Sequence, residues 1–260
     1  MSGILHAVFF SPTHSSKKLA LAVAWPLAQA LGKELCEHDL TYPPGRAKKL
    51  RCGPDDVLLL AFPVYAGRVP RLLDGFLSAL DGGGARAAVL AVYGNRHYDD
   101  ALLEAVDTLQ KHNCVVVAAS AFIAEHSLTP AIGTDRPDSR DMQLAGEFAR
   151  HTAQAILSGH DGPVAVPGNH PYKDLPPVMD IRPKTSEACT QCMLCASQCP
   201  VQVISEDDAT LVGQGCIRCC ACVKACPEQA KFFDQEPVLK IIAMLEEKCR
   251  ERREPEIFTV

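Results

Sequence analysis

The sequence contains no run of basic residues and no long hydrophobic segment. Its formal net charge is −5 at pH 7, and no stretch combines basic with aromatic side chains. Nothing in it could therefore follow a nucleic-acid phosphate backbone. The apolar stretch before Ser11 is too short for a signal peptide or a membrane span, and no basic region leads into it. We expect no nucleic-acid partner, no membrane and a location in the reducing cytoplasm.

Length and composition are those of a globular protein. The chain has 260 residues, of which 47% are hydrophobic and 22% are charged. That is enough for one sizeable core and a small additional domain. Two domains are therefore expected.

Cysteine is the residue whose placement is most informative. The chain has 13 cysteines, and eight of them form two copies of the motif Cys-x2-Cys-x2-Cys-x3-Cys-Pro. In this spacing three thiolates reach different irons of one 4Fe-4S cube, while the fourth ligates the other cube. We therefore expect two clusters, the first held by Cys189, Cys192, Cys195 and Cys226, and the second by Cys216, Cys219, Cys222 and Cys199.

Zinc and disulfide bonds are the alternatives for these cysteines. Structural zinc uses two separated pairs of ligands, which leaves the third cysteine of each triplet and both Cys-Pro ends unexplained. Disulfides do not suit an odd number of cysteines, most of them crowded together in a chain without a secretory signal. The remaining five are expected to be buried or free thiols: Cys36, Cys52, Cys114, Cys220 and Cys249.

Residues 1–158 alternate short apolar runs with amphipathic ones, a pattern typical of a doubly wound α/β domain with five parallel strands. The expected strands are 4–10, 34–40, 56–62, 86–92 and 114–123. The expected helices are 15–31, 70–80, 98–112 and 138–158. Proline and glycine are too frequent between the second and third strands for a helix to be assigned there.

The rest of the chain divides into three parts. Residues 159–183 are rich in proline and form an extended linker, which would also allow a homodimer in which clusters lie over a neighbouring subunit. Residues 184–236 form a small α+β domain with both clusters. Residues 237–260 form a helix and a tail, and one helix face carries Val238, Ile241, Ile242 and Leu245.

The loop after the first strand predicts an anion site. Ligands of an open parallel sheet bind outside the carboxyl ends of the strands. Here hydroxyls and backbone N–H groups would surround a helix N-terminus, which favours a phosphate, although these residues could also be simple helix caps. We call residues 11–17 the phosphate loop; its binding candidates are Ser11, Thr13, His14, Ser15 and Ser16.

Two further loops combine small and aromatic residues and could lie against a planar ring. We call residues 63–70 the second loop and residues 93–98 the third loop. Together the three loops resemble those of the flavodoxin fold. Joined to a two-cluster ferredoxin, the chain resembles the flavodoxin-ferredoxin fusion proteins often called EFR-type ferredoxins, and the resemblance covers nearly its whole length.

This resemblance implies that the cofactor is FMN, with its phosphate at the phosphate loop. The second loop would cover one face of the ring through Pro63, Val64, Tyr65, Ala66 and Gly67. The third loop would contact the pyrimidine edge through Tyr93, Gly94, Asn95 and Arg96. His14 departs from the pattern, because flavodoxins normally have glycine there, so the backbone either avoids a positive φ or accepts strain.

Side chains near the expected ring introduce positive charge and possible catalysts. Arg68, Arg96 and His97 would stabilise a reduced anionic flavin and give it a moderate potential, unless they bind only phosphate, a helix end or solvent. Glu125 and His126 follow the fifth strand at the same edge of the sheet. The catalytic candidates are Arg68, His97, Tyr98, Glu125 and His126, each of which could instead be structural.

The chain is expected to be an iron-sulfur flavoprotein that moves electrons between the clusters and FMN. An outside donor would reduce the clusters, and FMN would pass the electrons on singly or in pairs. We expect an oxidoreductase that reduces a small organic acceptor. The alternatives are a carrier between protein partners, which an acidic cluster domain would help to dock on a basic partner, and a redox sensor without turnover.

Overall fold

A six-stranded sheet is the centre of the structure. The computed structural model describes residues 3–160 and 162–260. The strands of this part of the chain are β1 (Ile4–Phe9), β2 (Glu34–Asp39), β3 (Val57–Pro63), β4 (Arg86–Tyr93), β5 (Val115–Ile123), β6 (Lys184–Thr185), β7 (Lys231–Phe232) and β8 (Glu256–Thr259). The order across the large sheet is β2-β1-β3-β4-β5-β8, and β6 pairs with β7 in a separate sheet.

Helices cover both faces of the large sheet. They are α1 (Ser15–Leu31), α2 (Pro43–Arg46), α3 (Asp74–Ser78), α4 (Ala101–Lys111), α5 (Ser139–Leu157), α6 (Leu194–Ser197), α7 (Ala221–Ala225) and α8 (Glu236–Lys248), with a 3₁₀ turn at Arg71–Leu73. One face packs on α1 and α5 through Leu19, Leu27 and Phe148. The other packs on α3 and α4 through Phe76 and Leu102.

The parallel strands form because their sequences are apolar on both sides. Strand β3 reads VLLLAFP and is buried along almost its whole length, as is β4. Continuous apolar strands are typical of parallel sheets with helices on both faces. The parallel order β2-β1-β3-β4-β5 is that of the flavodoxin-like fold, which confirms the expected fold class.

The strand and helix boundaries agree closely with those expected from the sequence. Helix α1 spans 15–31 as expected, and each of the five parallel strands differs from its expected bounds by one residue, at one end in four of them and at both ends in β3. The expected helix 70–80 is a 3₁₀ turn followed by the short α3, in which Gly75 weakens helix formation. A four-residue helix, α2, occurs in the proline-rich segment where none was assigned.

A sixth strand differs from the expected five. Strand β8 lies in the segment read as a tail and pairs antiparallel with β5, from Ala118 opposite Thr259 to Ala121 opposite Glu256. Without it β5 would expose an unpaired edge, which proteins generally cover or block. The expected helix before it is present as α8, whose Val238 and Leu245 are buried.

The linker has no helix or strand within residues 162–183, and it is fixed along α4. The Asp100 carboxylate accepts hydrogen bonds from the backbone N–H of Asn169 at 2.9 Å and of Lys173 at 2.6 Å. Asp107 contacts His170 at 2.8 Å and accepts a hydrogen bond from the Tyr172 hydroxyl at 2.5 Å. These contacts hold the linker against the sheet domain of its own chain.

The two cysteine runs have the same backbone path. Each leads into a short helix, α6 or α7, through a residue with positive φ, Met193 at 59° and Cys220 at 61°. The residues two positions earlier, Gln191 and Arg218, also have positive φ, at 56° and 54°. The sequence repeat is therefore also a structural repeat. Among the described helices none is long and apolar enough to cross a membrane.

Candidate functional site

Four cysteines from both runs line one enclosed space. We call its cysteines the first cage: Cys189, Cys192, Cys195 and Cys226. Three come from the first run and the last comes from the second. The side chain of Lys231 also lines this space.

A second space is lined by the other four cysteines of the two runs. We call them the second cage: Cys199, Cys216, Cys219 and Cys222. Burial raises the pKa of Cys219 and Cys222 to about 12, and the neighbouring thiols of the same cage add to the effect. Without a metal these thiols stay protonated, whereas iron would hold them as thiolates. Two groups of four converging sulfur atoms fit two 4Fe-4S clusters.

Cys220 lines the second space without matching a ligand position. It occupies the same place in its run as Met193 does in the first, and its thiol points to the carbonyl of Arg218 at 3.7 Å. This agrees with its position outside the two-residue spacing of the ligands.

Lys231 is a buried cation between the cages. It is 2% exposed, and its ammonium group donates hydrogen bonds to the hydroxyl of Thr185 at 2.8 Å and to the carbonyl of Ala209. Burial raises the pKa of Cys195 and of Cys222, and the charge of Lys231 opposes that rise at both. The charge of Lys231 therefore favours the thiolate form of one cysteine in each cage. This role could not be predicted from the sequence, because a lysine beside Phe232 and Phe233 is typical of an exposed strand residue.

The phosphate loop offers unpaired hydrogen-bond donors at the start of the long helix α1. Ser11 is fixed, since its hydroxyl accepts a hydrogen bond from the N–H of Lys17 at 2.9 Å and its N–H donates to the Thr41 hydroxyl at 3.0 Å. In the described part of the chain, no partner exists for the backbone N–H groups or hydroxyls of Thr13, Ser15 and Ser16. These donors and the helix dipole fit a phosphate.

His14 resolves the question of strain in this loop. Its φ is 66°, in the left-handed region, and it precedes the first residue of α1. The backbone therefore keeps the conformation that glycine would favour, and histidine bears the cost.

The second loop is a tight turn beside Asp99, the residue that follows the third loop. Tyr65 and Arg68 exchange two backbone hydrogen bonds of 3.1 Å, and Ala66 and Gly67 between them both have positive φ, as in a type I′ turn. A Cβ on Gly67 would lie 2.2 Å from a carboxylate oxygen of Asp99. Glycine at this position therefore suits both the positive φ and the nearby Asp99 side chain.

The second cage lies against these loops. Burial raises the pKa of Tyr65 well above its usual value, and the neighbouring thiols of Cys219 and Cys220 add to this. The guanidinium of Arg46 donates a hydrogen bond of 2.7 Å to the carbonyl of Pro200, which follows Cys199. The same guanidinium binds the carbonyl of Thr41, the residue that holds Ser11. Sequence reasoning missed Arg46 and Thr41, because only the strand order brings the end of β2 beside Ser11.

The third loop is bound to the C-terminal segment. The Asn95 side chain donates to the carbonyls of Cys249 at 2.7 Å and Glu251 at 2.8 Å, and accepts from the N–H of Arg253 at 3.1 Å. Its amide is thus fully engaged by the chain itself. The buried Tyr98 donates from its hydroxyl to Glu256 at 3.0 Å, which gives this catalytic candidate a structural role.

The two arginines expected to provide positive charge are paired with carboxylates. Arg68 makes two hydrogen bonds to Glu104, of 2.7 and 2.6 Å, and stacks over the ring of Tyr172. Arg96 forms an ion pair with Asp99. The charge of Arg68 is therefore offset by Glu104, whereas Asp99 is shared by Arg96 and Lys173, so part of the expected positive charge remains beside the third loop. The partner Glu104 was not anticipated, since it lies on α4, 36 residues away in sequence.

His97 differs from the other candidates in being exposed to solvent. Its side chain is 45% exposed, accepts a hydrogen bond from the N–H of Asp99 at 2.8 Å and stacks on Tyr98. Its charged neighbours include Asp99 and Arg96, whose guanidinium donates a weak hydrogen bond of 3.4 Å to the His97 carbonyl. It stays a candidate by exposure alone.

Glu125 and His126 lie beside both the third loop and residues 184–236, which we call the cluster region. Glu125 forms an ion pair of 2.7 Å with Lys224 of α7, and a Cβ on Gly94 would lie 2.3 Å from the His126 ring. Burial lowers the pKa of His126 to about 4, and Lys224 and Arg96 contribute. Its Nδ1 accepts from the N–H of Leu128 at 3.1 Å, so the neutral ring carries its proton on Nε2. His126 can therefore donate a hydrogen bond but does not carry charge at neutral pH.

Comparison with known proteins identifies the iron-sulfur region. Residues 183–205 match the family described as 4Fe-4S binding domain, so this segment, with the whole first cysteine run, binds an iron-sulfur cluster. A search of curated proteins gives no match. The chain thus joins a flavodoxin-like sheet, identified by its strand order, to a 4Fe-4S binding segment.

Several solved structures are similar to the sheet domain. The Streptococcus pneumonia TIGR4 flavodoxin is 16% identical, with a TM-score of 0.39 over 60% of this chain and 99% of that one. A short-chain flavodoxin associated with a non-canonical PDU bacterial microcompartment is 15% identical, with a TM-score of 0.43 over 61% of this chain and 98% of that one. An NADH:FMN oxidoreductase in its apo form is 17% identical, with a TM-score of 0.45 over 59% of this chain and 89% of that one.

Proposed function

We propose that this protein moves electrons between two 4Fe-4S clusters and FMN within one chain. The first and second cages would each hold one cluster, and the phosphate loop would hold the FMN phosphate. The second and third loops would border the ring. The clusters supply one-electron transfer, and the flavin supplies exchange of one or two electrons.

The proposal rests on the contact between the second cage and the flavin loops. The thiol of Cys219 contributes to the raised pKa of Tyr65 in the second loop. Arg46 connects the phosphate loop, through Thr41, with Pro200. Lys224 beside the second run is paired with Glu125 next to the third loop. The route favoured by these contacts leads from the first cage through the second cage to the flavin.

Cofactor analysis of anaerobically purified protein tests this proposal. We expect about eight irons, about eight acid-labile sulfides and about one extracted FMN per chain. Stopped-flow reduction by dithionite should then show the clusters and the flavin reaching equilibrium at a rate that does not depend on protein concentration. Colourless protein, zinc in place of iron, or flavin reduction that is second order in protein would overturn the proposal.

For the final acceptor, we propose a small organic molecule that is reduced at the flavin. The supporting residue is His126, a neutral hydrogen-bond donor that packs against the third loop. Such a donor can orient and polarise a carbonyl or similar group in the acceptor. Anaerobic turnover of the reduced protein against a panel of such acceptors should give an organic product, and His126→Phe should lower its rate by roughly 10²-fold.

A carrier between proteins is the second candidate. It is favoured by the pairing of Arg68 with Glu104 and of Tyr98 with Glu256, which engages two of the catalytic candidates in contacts within the protein. Exposed acids of the cluster region could dock a basic partner: Glu187, Glu206, Asp207, Glu228 and Asp234. Transfer to a basic redox protein that falls steeply with salt, with no organic product, would favour the carrier.

A further inference from the structure

A second group of metal-binding side chains lies in the sheet, apart from both cages. His6 on β1 is paired in register with Cys36 on β2, and His38 is two residues further along β2. Because alternate residues of a strand share one face, the three side chains project from the same side of the sheet. His6 precedes Ser11 by five residues in an extended segment, which is roughly 16 Å along the strand. The group is therefore separate from the phosphate loop.

The potential ligand atoms of these residues converge. One ring nitrogen from each histidine and the sulfur of Cys36 all lie within 4.8 Å of one another. The Nδ1 of His6 is 3.0 Å from the Nε2 of His38. In a tetrahedral zinc site two coordinated nitrogens are about 3.3 Å apart, given zinc-nitrogen bonds of about 2.0–2.1 Å. Only small side-chain shifts would bring all three atoms to one ion.

Asp56 orients the buried histidine. His6 is 6% exposed, and its Nε2 has no hydrogen-bond partner but lies 3.6 Å from a carboxylate oxygen of Asp56. Asp56 is itself held by the N–H groups of Ile4 at 2.8 Å and Gly53 at 2.7 Å. A carboxylate facing the outer nitrogen keeps the proton there and leaves Nδ1 free to coordinate, as in carboxylate-histidine-zinc groups.

A hydrogen bond between the two rings alone explains less of this arrangement. It would pair Nδ1 of His6 with Nε2 of His38, but it gives no partner to the Cys36 thiol, which makes no hydrogen bond within residues 3–160 and 162–260. It also leaves the buried Nε2 of His6 unpaired. A metal ion would use the lone pairs of both rings and the sulfur together.

We propose that His6, Cys36 and His38 bind a zinc ion, with Asp56 positioning His6 and water in the fourth place. Two imidazoles and one thiolate are ligands that suit zinc, whereas calcium and magnesium require oxygen. On binding, the Cys36 thiol loses its proton to solvent and forms the zinc-sulfur bond. The ion would crosslink the edge strand β2 to β1. It would differ from the iron of the cages both in its ligands and in its position in the fold.

X-ray absorption at the zinc edge tests the site without interference from iron. The anaerobically purified full-length protein is equilibrated with one equivalent of zinc sulfate and desalted. We expect about one zinc per chain, with one sulfur at about 2.3 Å and lighter atoms at about 2.0–2.1 Å. A shell of sulfur alone would mean that zinc had entered a cage, and this result, or the absence of retained zinc, would overturn the proposal.

Variants locate the ion. Cys36→Ala and His38→Ala should lose the zinc, and Asp56→Asn should weaken its binding by roughly 10–100-fold. Cys114→Ala, which removes another non-cage thiol, is the matched control and should retain zinc. Iron content and circular dichroism should match the wild type in every variant used. Zinc retained by both Cys36→Ala and His38→Ala would contradict the site, whatever the wild-type spectrum.

Discussion

At the scale of single residues, His14 combines an unfavourable backbone conformation with a place in the phosphate loop. A non-glycine residue at a φ of 66° bears a cost of order 1 kcal/mol, and a β-branched residue bears more. We expect His14→Gly to bind FMN as tightly as the wild type or up to about tenfold more tightly, and His14→Val to bind about tenfold more weakly. Fluorescence titration of flavin-free protein measures both. Equal weakening by glycine and valine would show that the imidazole itself binds the cofactor.

The buried ammonium group of Lys231 donates its hydrogen bonds to neutral oxygens of Thr185 and Ala209, and a charged group near it is Asp208, whose pKa is lowered by its hydrogen bonds with Thr210 and further by Lys231. A buried cation stabilises a cluster that has gained an electron. We expect Lys231→Met to lower the reduction potential of both clusters by several tens of mV, since an interaction on the order of 1–2 kcal/mol corresponds to such a shift. Potentiometric titration followed by electron paramagnetic resonance measures it.

Lys184→Met is the matched control for that prediction. Lys184 lies on β6, the partner strand of β7, and forms an exposed ion pair with Asp234. Solvent screens its charge, so its loss should leave both potentials nearly unchanged. Equal shifts in the two variants would assign the effect to net charge rather than to burial.

At the scale of elements, the C-terminal segment is held by the third loop. The Asn95 side chain makes three hydrogen bonds to the stretch between α8 and β8. We expect Asn95→Ala to release β8 locally and to speed amide hydrogen exchange at residues 256–259 by roughly 10–100-fold, because about 1 kcal/mol is lost for each bond. Exchange in β3 serves as the internal control and should not change. Uniform acceleration across the sheet would indicate global destabilisation instead.

The elements show what a sequence can predict here and what it cannot. Strand β3 is an unbroken apolar run and α1 an amphipathic one bounded by Ser15 and Gly32, so both could be read from local pattern. Strand β8 is four residues long and gains its stability from pairing with β5, which no local pattern reports. The pairing of Arg68 with Glu104 depends in the same way on where α4 packs. Cysteine spacing was informative because it encodes ligand geometry directly.

At the scale of the whole molecule, the arrangement of the cages predicts the order of electron flow. The second cage is the one whose Cys219 thiol lies near enough to Tyr65 to affect its pKa, and it is linked through Pro200 to Arg46. The spaces inside both cages are lined by residues 183–233 alone, but within the described residues no such link joins the first cage to the three loops. A cluster in the first cage would thus receive electrons from an outside donor, and one in the second cage would pass them to the flavin.

This order can be tested by removing one ligand from each cage. Cys199→Ala, although its residue belongs to the first run, should damage the cluster of the second cage and slow flavin reduction by a protein donor at least about 10²-fold. Cys192→Ala should damage only the first cluster, and the flavin should then still be reduced by dithionite, a small donor that can reach the second cluster. Freeze-quench electron paramagnetic resonance and flavin absorbance measure the two centres separately.

Cys220→Ala is the control, because it removes a thiol beside the second cage that is not expected to be a ligand, and it should keep both clusters. If Cys199→Ala instead lost the first cluster and left flavin reduction intact, both the crossed ligand sets and the proposed route would be wrong.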